Sequence, residues 1–316
     1  MKSFTSYTQV SLLLSATMES FASTDYRVLA SYGRECIVEA AGERIKAAAQ
    51  KKVGRPVCND QVRLIQKSGQ SLISEILPRK NLFARANRQG DQQIIAANLD
   101  RLIIVVAPRP EPTRDLINRY LIAAHLLGIK AVICLNKIDL LSPEQSDKWQ
   151  QRLSIYNDLG YQHIQCSAKA SGGLKDLSQM LSMGSSIFIG QSGVGKSSLI
   201  NALLPGLQLP TQEISKTTRK GRHTTTAAML HDLPNGGHLI DSPGVWEYGL
   251  WKMQPLEIAA GFIEFHQFSA DCRFANCLHD GEPACAVKKA VETQKIHPMR
   301  YDSYLRIVNG LNNQYG

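Results

Sequence analysis

Between residues 26 and 83, apolar and polar positions alternate in short runs broken by turn residues. This period of two predicts strands over residues 27–32, 35–40, 43–48, 61–66 and 71–77. Gly33, Ala41-Gly42, Gly54-Arg55-Pro56 and Ser68-Gly69 separate them. Five strands in so short a stretch suit a small closed barrel of the OB type, and an SH3-like barrel would give a similar pattern. From about residue 100 the texture changes. Residues 102–107 (LIIVVA) form a continuous apolar run, as expected of a strand buried on both faces. Further strands are predicted over 131–135, 163–166, 186–190, 229–231 and 238–241. Helices are predicted over 116–127, 144–158, 174–181 and 196–203. Strands alternating with helices give a three-layer α/β domain with a largely parallel sheet. After about residue 250 the pattern turns helical. A final helix near 298–311 places Tyr301, Tyr304, Leu305 and Val308 on one face.

The 316 residues allow two or three domains, and 43% hydrophobic against 20% charged residues excludes a mainly disordered chain. No apolar run has the ~18 residues of a membrane helix. Residues 1–24 read as a frayed tail rather than a signal peptide. Seven cysteines, unevenly spread, point away from a secreted disulfide scaffold and toward a reducing cytoplasm. The net charge is +9, and residues 26–88 carry most of it, with 13 basic and 5 acidic side chains. Such a concentration points to a polyanionic partner, nucleic acid before membrane, or to a solvated basic face.

Gly190, Gln191, Ser192, Gly193, Val194, Gly195, Lys196 and Ser197 match the P-loop pattern G-x-x-x-x-G-K-[ST] without a gap, and Ser198 follows. A predicted strand precedes the motif and a helix follows it. The glycines let backbone N–H groups curl around phosphate oxygens. Lys196 would reach the β- and γ-phosphates, and the Ser197 hydroxyl would sit on Mg²⁺. Asn136-Lys137-Ile138-Asp139 follows the strand at 131–135, at the carboxyl end where α/β domains bind ligands. A carboxylate at Asp139 can accept from both N1–H and the exocyclic amine of guanine, a donor pair that adenine lacks. Asn136 braces the loop, and the Lys137 stem can lie along the base. Ser167, Ala168 and Lys169 follow the next strand, where the Ala168 N–H would meet guanine O6. Asp241-Ser242-Pro243-Gly244 ends another strand, with Asp241 placed to hold Mg²⁺ through water and the Gly244 N–H to sense a γ-phosphate. Between these motifs, residues 216–226 suit a switch loop. There Thr225 is the candidate Mg²⁺ ligand, and His223 is a water-positioning group, an RNA contact or a plain loop histidine.

The order of the motifs is itself informative. Ordinary small GTPases run P-loop, switch threonine, D-x-x-G, N-K-x-D, S-A-K, whereas this chain starts at N-K-I-D and ends at D-S-P-G. That is a circular permutation, and it puts any appended C-terminal domain directly after the switch region. In that region Cys272, Cys277, His279 and Cys285 offer four soft or borderline ligands within fourteen residues, which fits a closed structural zinc site.

Together these residues resemble the RsgA (YjeQ) family of circularly permuted GTPases that depend on the small ribosomal subunit. The match rests on the permuted order, G-Q-S-G-V-G-K-S-S at 190–198, G-R-H-T-T-T at 221–226, D-S-P-G-V at 241–245 and the Cys-Cys-His-Cys spacing. Q-I-I-A-A-N-L-D at 93–100 and Gly249-Leu250-Trp251 also look like family signatures. Asn59-Asp60-Gln61-Val62 departs from a family tendency toward G-D-x-V. The resemblance implies a multi-domain chain: an OB-type β-barrel over 25–88, a permuted α/β P-loop GTPase domain over 89–249 and a mainly helical zinc-binding domain over 250–316. It also implies GTP hydrolysis to GDP, stimulated by the small (30S) subunit and its rRNA late in subunit maturation, by a cytoplasmic monomer. His223 and Lys196 are the expected catalytic residues. The competing classes are an RNA-binding GTP sensor with negligible turnover and a P-loop kinase or ATPase, against which N-K-I-D argues.

Overall fold

The computed structural model describes residues 25–87, 89, 91–113, 115–207, 227–242 and 252–315, with side chains through residue 310. Strands β1 (Tyr26–Tyr32), β2 (Glu35–Ala40), β3 (Glu43–Ala49), β4 (Gln61–Lys67) and β5 (Gln70–Ile76) form the barrel. They pair as β1-β2-β3-β5-β4, and β4 returns to β1 to close the ring. Val28, Cys36, Val38, Ala47, Val62 and Ile73 point inward, as the period of two requires.

Asn59 takes φ +68°, a left-handed conformation that glycine adopts freely and asparagine tolerates. This accounts physically for the departure from G-D-x-V. The Asn59 amide donates to the Ala97 and Asn98 carbonyls at 2.9 and 3.0 Å, so the substitution also ties the barrel to the next segment. Asp60 is fully buried and satisfied. It accepts from Val57 N at 2.8 Å and makes a two-pronged pair with Arg79 at 2.7 and 2.8 Å.

A hairpin absent from the sequence reading follows: β6 (Leu82–Ala86) pairs with β7 (Gln92–Ala97). The expected boundary at 88/89 falls between these two paired strands in the sequence. Its two strands are rich in alanine and polar residues, so their alternation is faint in the sequence.

The α/β domain runs β8 (Arg101–Val106), α1 (Leu116–Leu126), β9 (Lys130–Leu135), α2 (Pro143–Asp158), β10 (Gln162–Gln165), α3 (Lys175–Leu181), β11 (Ser185–Ile189), α4 (Lys196–Leu203), β12 (Met229–Asp232) and β13 (His238–Asp241). The strand order is β10-β9-β8-β11-β13-β12, parallel throughout except for β12. Leu102, Ile104 and Val106 of β8 feed the core on one face, and Ile103, Val105 and Ala107 feed the core on the other. This is why the strand reads as an unbroken apolar run. The barrel and this domain are not separate sheets. Ala30 of β1 pairs with Met229 of β12, giving one continuous eleven-stranded sheet.

The C-terminal region contains α5 (Pro255–Ala260), α6 (His266–Ser269), α7 (Ala286–Glu292) and α8 (Pro298–Tyr315). The buried stripe of α8 includes Tyr304 and Val308 as expected, but it is centred on Arg300, Ser303, Tyr304, Ile307 and Val308, while Tyr301 and Leu305 are only half-buried. Arg300 is 1% exposed. Its guanidinium donates to both Glu264 oxygens at 2.7 and 3.0 Å and to Asn118 Oδ1 at 2.6 Å, and it lies 4.5 Å from the Phe262 ring centre. Asn118 in turn donates to Ser303 Oγ at 2.6 Å, and Arg306 grips Asp115 with two nitrogens. These contacts fix α8 against the start of α1.

Candidate nucleotide site

The P-loop joins β11 to α4. Gly190 has φ +147°, and a Cβ there would lie 2.2 Å from the Val105 carbonyl oxygen. A Cβ on Gly195 (φ +95°) would meet the Asn136 amide at 2.5 Å. Both positions therefore demand glycine. Lys196 is buried, and its ammonium donates to the Gly190 and Gln191 carbonyls at 2.7 and 2.8 Å. Desolvation pushes its pKa down to about 8. A phosphate at the loop would offset that penalty, because its negative charge favours the ammonium form. Ser197 is buried at the first turn of α4.

The loop after β9 is stapled to this cradle. Asn136 is 1% exposed, donates to the Val194 carbonyl at 2.9 Å, and faces Cys166 Sγ at 3.7 Å. Lys137 takes φ +62° and sends its ammonium to the Gly193 and Arg109 carbonyls at 2.6 and 2.9 Å. Asp139 is exposed, with one carboxylate oxygen receiving the Ser167 hydroxyl at 2.5 Å. Ser167 is fully buried and also accepts from Lys169 N and Ala170 N, both at 3.2 Å. The turn carrying Ala168 is thus tied to the Asp139 carboxylate.

Asp241 stands at the end of β13, beside β11. Burial raises its pKa, so a nearby cation would relieve a real cost. That donor suits the Mg²⁺ that accompanies a bound nucleotide. His223, Thr225 and Gly244 lie outside the described residues.

The loop following β8 also borders the site, and the sequence reading passed over it. Gln191 donates its amide to the Pro110 and Glu111 carbonyls at 3.3 and 3.0 Å, so its side chain braces the P-loop from outside. The available signal was position alone, since this loop too leaves the carboxyl end of a parallel strand.

Cys272, Cys277, His279 and Cys285 converge, with one ligand atom from each lying within 4.8 Å of the others. His279 Nδ1 is 3.7 Å from Cys272 Sγ and 3.4 Å from Cys285 Sγ. Its other nitrogen faces Ser269 Oγ at 3.4 Å, an outer contact that orients the ring. Glu282 accepts from Leu278 N, Asp280 N and Gly281 N, and Tyr301 donates to the His279 carbonyl at 2.6 Å. These four side chains could hold a metal ion. His266 lies outside it, with Nε2 at 2.8 Å from the Ala260 carbonyl. Outside the cluster, Cys134 and Cys166 lie 3.3 Å apart, sulfur to sulfur, next to the loops that follow β9 and β10.

The model of the RsgA GTPase family matches residues 76–251, from the end of the barrel through D-S-P-G. The chain belongs to this family. A small ribosomal subunit biogenesis GTPase RsgA of Mannheimia succiniciproducens is 45% identical over 238 residues, covering 75% of this chain and 68% of its own. One of the same description from Haemophilus influenzae is 39% identical over 305 residues, covering 95% and 86%. Among solved structures, YjeQ from Thermotoga maritima superposes with a TM-score of 0.75 at 31% identity, covering 91% of this chain and 98% of its own. YloQ, described as a circularly permuted GTPase, shares the fold with a TM-score of 0.74 at 24% identity, covering 94% and 98%. As a member of the RsgA GTPase family, the chain is a GTP hydrolase of permuted topology carrying an N-terminal five-stranded barrel.

Proposed function

We propose that this GTPase binds the small ribosomal subunit in the cytoplasm and acts as a monomeric nucleotide switch late in subunit maturation, with the subunit stimulating its turnover. The observation that carries this reading is the direct pairing of β1 with β12. Strand β12 begins four residues after Thr225, so the basic barrel is hydrogen-bonded to the strand that leaves the switch loop. A change in that loop on hydrolysis has a short path to the surface suited to rRNA.

Within the site, Asn136, Lys137, Asp139 and the turn at Ser167, Ala168 and Lys169 bind guanine, and the loop from Gly190 to Ser198 binds the phosphates. Ser197 and Asp241 hold Mg²⁺ with Thr225, while Gly244 senses the γ-phosphate. Mg²⁺ supplies charge neutralisation between the phosphates when bound. Lys196 adds a fixed positive charge there. Val245 stands directly after D-S-P-G, where many GTPases carry a glutamine that orients water. A valine side chain cannot make that hydrogen bond, so His223 is assigned the role, through an imidazole able to accept a water proton near neutral pH. The C-terminal cluster takes one structural zinc. A tetrahedral ion with Zn–S bonds of about 2.3 Å sets sulfur atoms roughly 3.8 Å apart, and Cys272 and Cys285 sulfurs lie 4.0 Å apart.

Co-sedimentation with purified small subunits tests the partner. Retention should be stronger with a non-hydrolysable GTP analogue than with GDP. Retention on large subunits alone would refute the assignment.

A further inference from the structure

Asn136 is buried, so both ends of its amide must find partners. The amide nitrogen donates to the Val194 carbonyl of the P-loop at 2.9 Å. The amide oxygen accepts from the Cys166 thiol at 3.7 Å, a length that suits sulfur, and among the described residues no other donor reaches it. An amide turned over would set its oxygen against the Val194 carbonyl and lose the stronger of the two bonds. The thiol thus selects the orientation in which Asn136 holds the P-loop.

Cys166 is itself placed from several sides. Its N–H donates to the Leu135 carbonyl at 2.8 Å, and its carbonyl accepts from Ile138 N at 3.3 Å. Its sulfur lies 3.3 Å from that of Cys134, and both thiols are fully buried. The Cys166 thiol and burial push the Cys134 pKa well up, so Cys134 keeps its proton at neutral pH. Cys134 can then donate to the Cys166 sulfur while the Cys166 proton goes to Asn136. A thiol is a weak donor. Its loss is costly here all the same, because it leaves a buried amide oxygen unpaired, and that penalty exceeds the strength of the bond itself.

We propose that Cys166 is a positioning residue for nucleotide binding: its thiol orients the Asn136 amide and so couples the loop after β9 to the P-loop. The inference rests on the nucleotide site proposed above and adds a buried side chain to the groups that shape it. The thiol acts on how two loops are held, not on bond breaking. Its loss should therefore weaken GTP and GDP alike and leave the chemical step unchanged.

The test uses the full chain with three substitutions. Cys166→Val keeps the volume but lacks a donor, Cys166→Ser keeps a donor, and Cys134→Ala removes buried volume beside the same sulfur. Equilibrium titration gives Kd for GDP and for a GTP analogue, and steady-state hydrolysis gives KM and kcat. Cys166→Val should raise both Kd values and KM by about five- to tenfold, with kcat unchanged. Cys166→Ser should recover most of the affinity. Cys134→Ala should lower the thermal midpoint without moving KM. Asn136→Ala should weaken binding, and adding Cys166→Val to it should cost nothing further, because the thiol has lost its acceptor. Should Cys166→Val not fold, Cys166→Ala takes its place in this cycle. Cys166→Ser as weak as Cys166→Val, a fall in kcat with no rise in KM, or losses that add in the double variant would each overturn the positioning role. Weakened binding in Asn136→Ala beside wild-type KM in Cys166→Val overturns this inference alone. Wild-type nucleotide affinity in Asn136→Ala removes the underlying site reading and this inference with it.

Discussion

The Ser167 hydroxyl donates to Asp139 Oδ1 at 2.5 Å, linking the loops that follow two neighbouring parallel strands. One oxygen of the carboxylate proposed to read the base is thereby held by a fully buried serine. Base recognition as proposed would then depend on two loops rather than one.

Ser167→Ala should leave Asp139 in place but free to turn. Hydrogen bonds to charged groups contribute roughly 1.5–3 kcal/mol, so the preference for GTP over ATP should fall by about tenfold or more in competition binding. Asp139→Asn should lose more, since an amide cannot accept both guanine protons. Full GTP preference in Asp139→Asn would contradict the assignment.

Lys196 gives the site a pH dependence. Its pKa in the nucleotide-free protein is pushed down to about 8 by desolvation, and phosphate binding favours the ammonium form. Below pH 8 the charge is already present, so affinity for GTP should be flat. Above it, binding must take up a proton, and affinity should fall by up to about tenfold per pH unit. Isothermal titration in buffers of differing ionisation enthalpy should detect the proton uptake. Lys196→Ala should bind weakly with no such slope.

The metal cluster should be structural. The protein should carry one zinc per chain by elemental analysis. Chelation, or Cys277→Ser, should lower the thermal midpoint by about 5–10 °C, equivalent to a loss of roughly 3 kcal/mol. A well-folded protein without zinc would rule the metal out.

Arg300 tests the joint between the C-terminal helix and the α/β domain. Arg300→Met leaves the Glu264 carboxylate buried without a partner, and breaking such a pair costs about 3–5 kcal/mol. Chemical denaturation should show this loss, and Arg300→Met/Glu264→Leu should recover much of it. An unchanged midpoint in the single variant would mean that the pair contributes nothing to holding α8.

Much of this site was legible because its chemistry is local. P-loop, N-K-I-D and C-S-A-K are short strings set directly after apolar strands, and a strand end fixes where a loop must lie. The four candidate metal ligands were legible for the same reason, since fourteen residues cannot stray far from one another. What escaped was non-local. Arg300 shares a buried stripe with Ser303, Tyr304, Ile307 and Val308, and its partners Glu264 and Asn118 lie 36 and 182 residues away. The touching thiols of Cys134 and Cys166 depend on the register of two parallel strands, which no single segment encodes. The β6–β7 hairpin, built largely from alanine and polar residues, left little period to read. The fusion of barrel and α/β sheet rests on the Ala30–Met229 pairing, with Arg27–His238 and Arg44–Asp232 contacts across it, all between residues about 190 or more apart in the chain.

The most direct test of the account is GTP hydrolysis measured with the protein alone, with small ribosomal subunits and with large ones. Slow turnover alone, strong stimulation by small subunits and none by large subunits is the predicted result. A rate indifferent to small subunits, or raised equally by large ones, would contradict it.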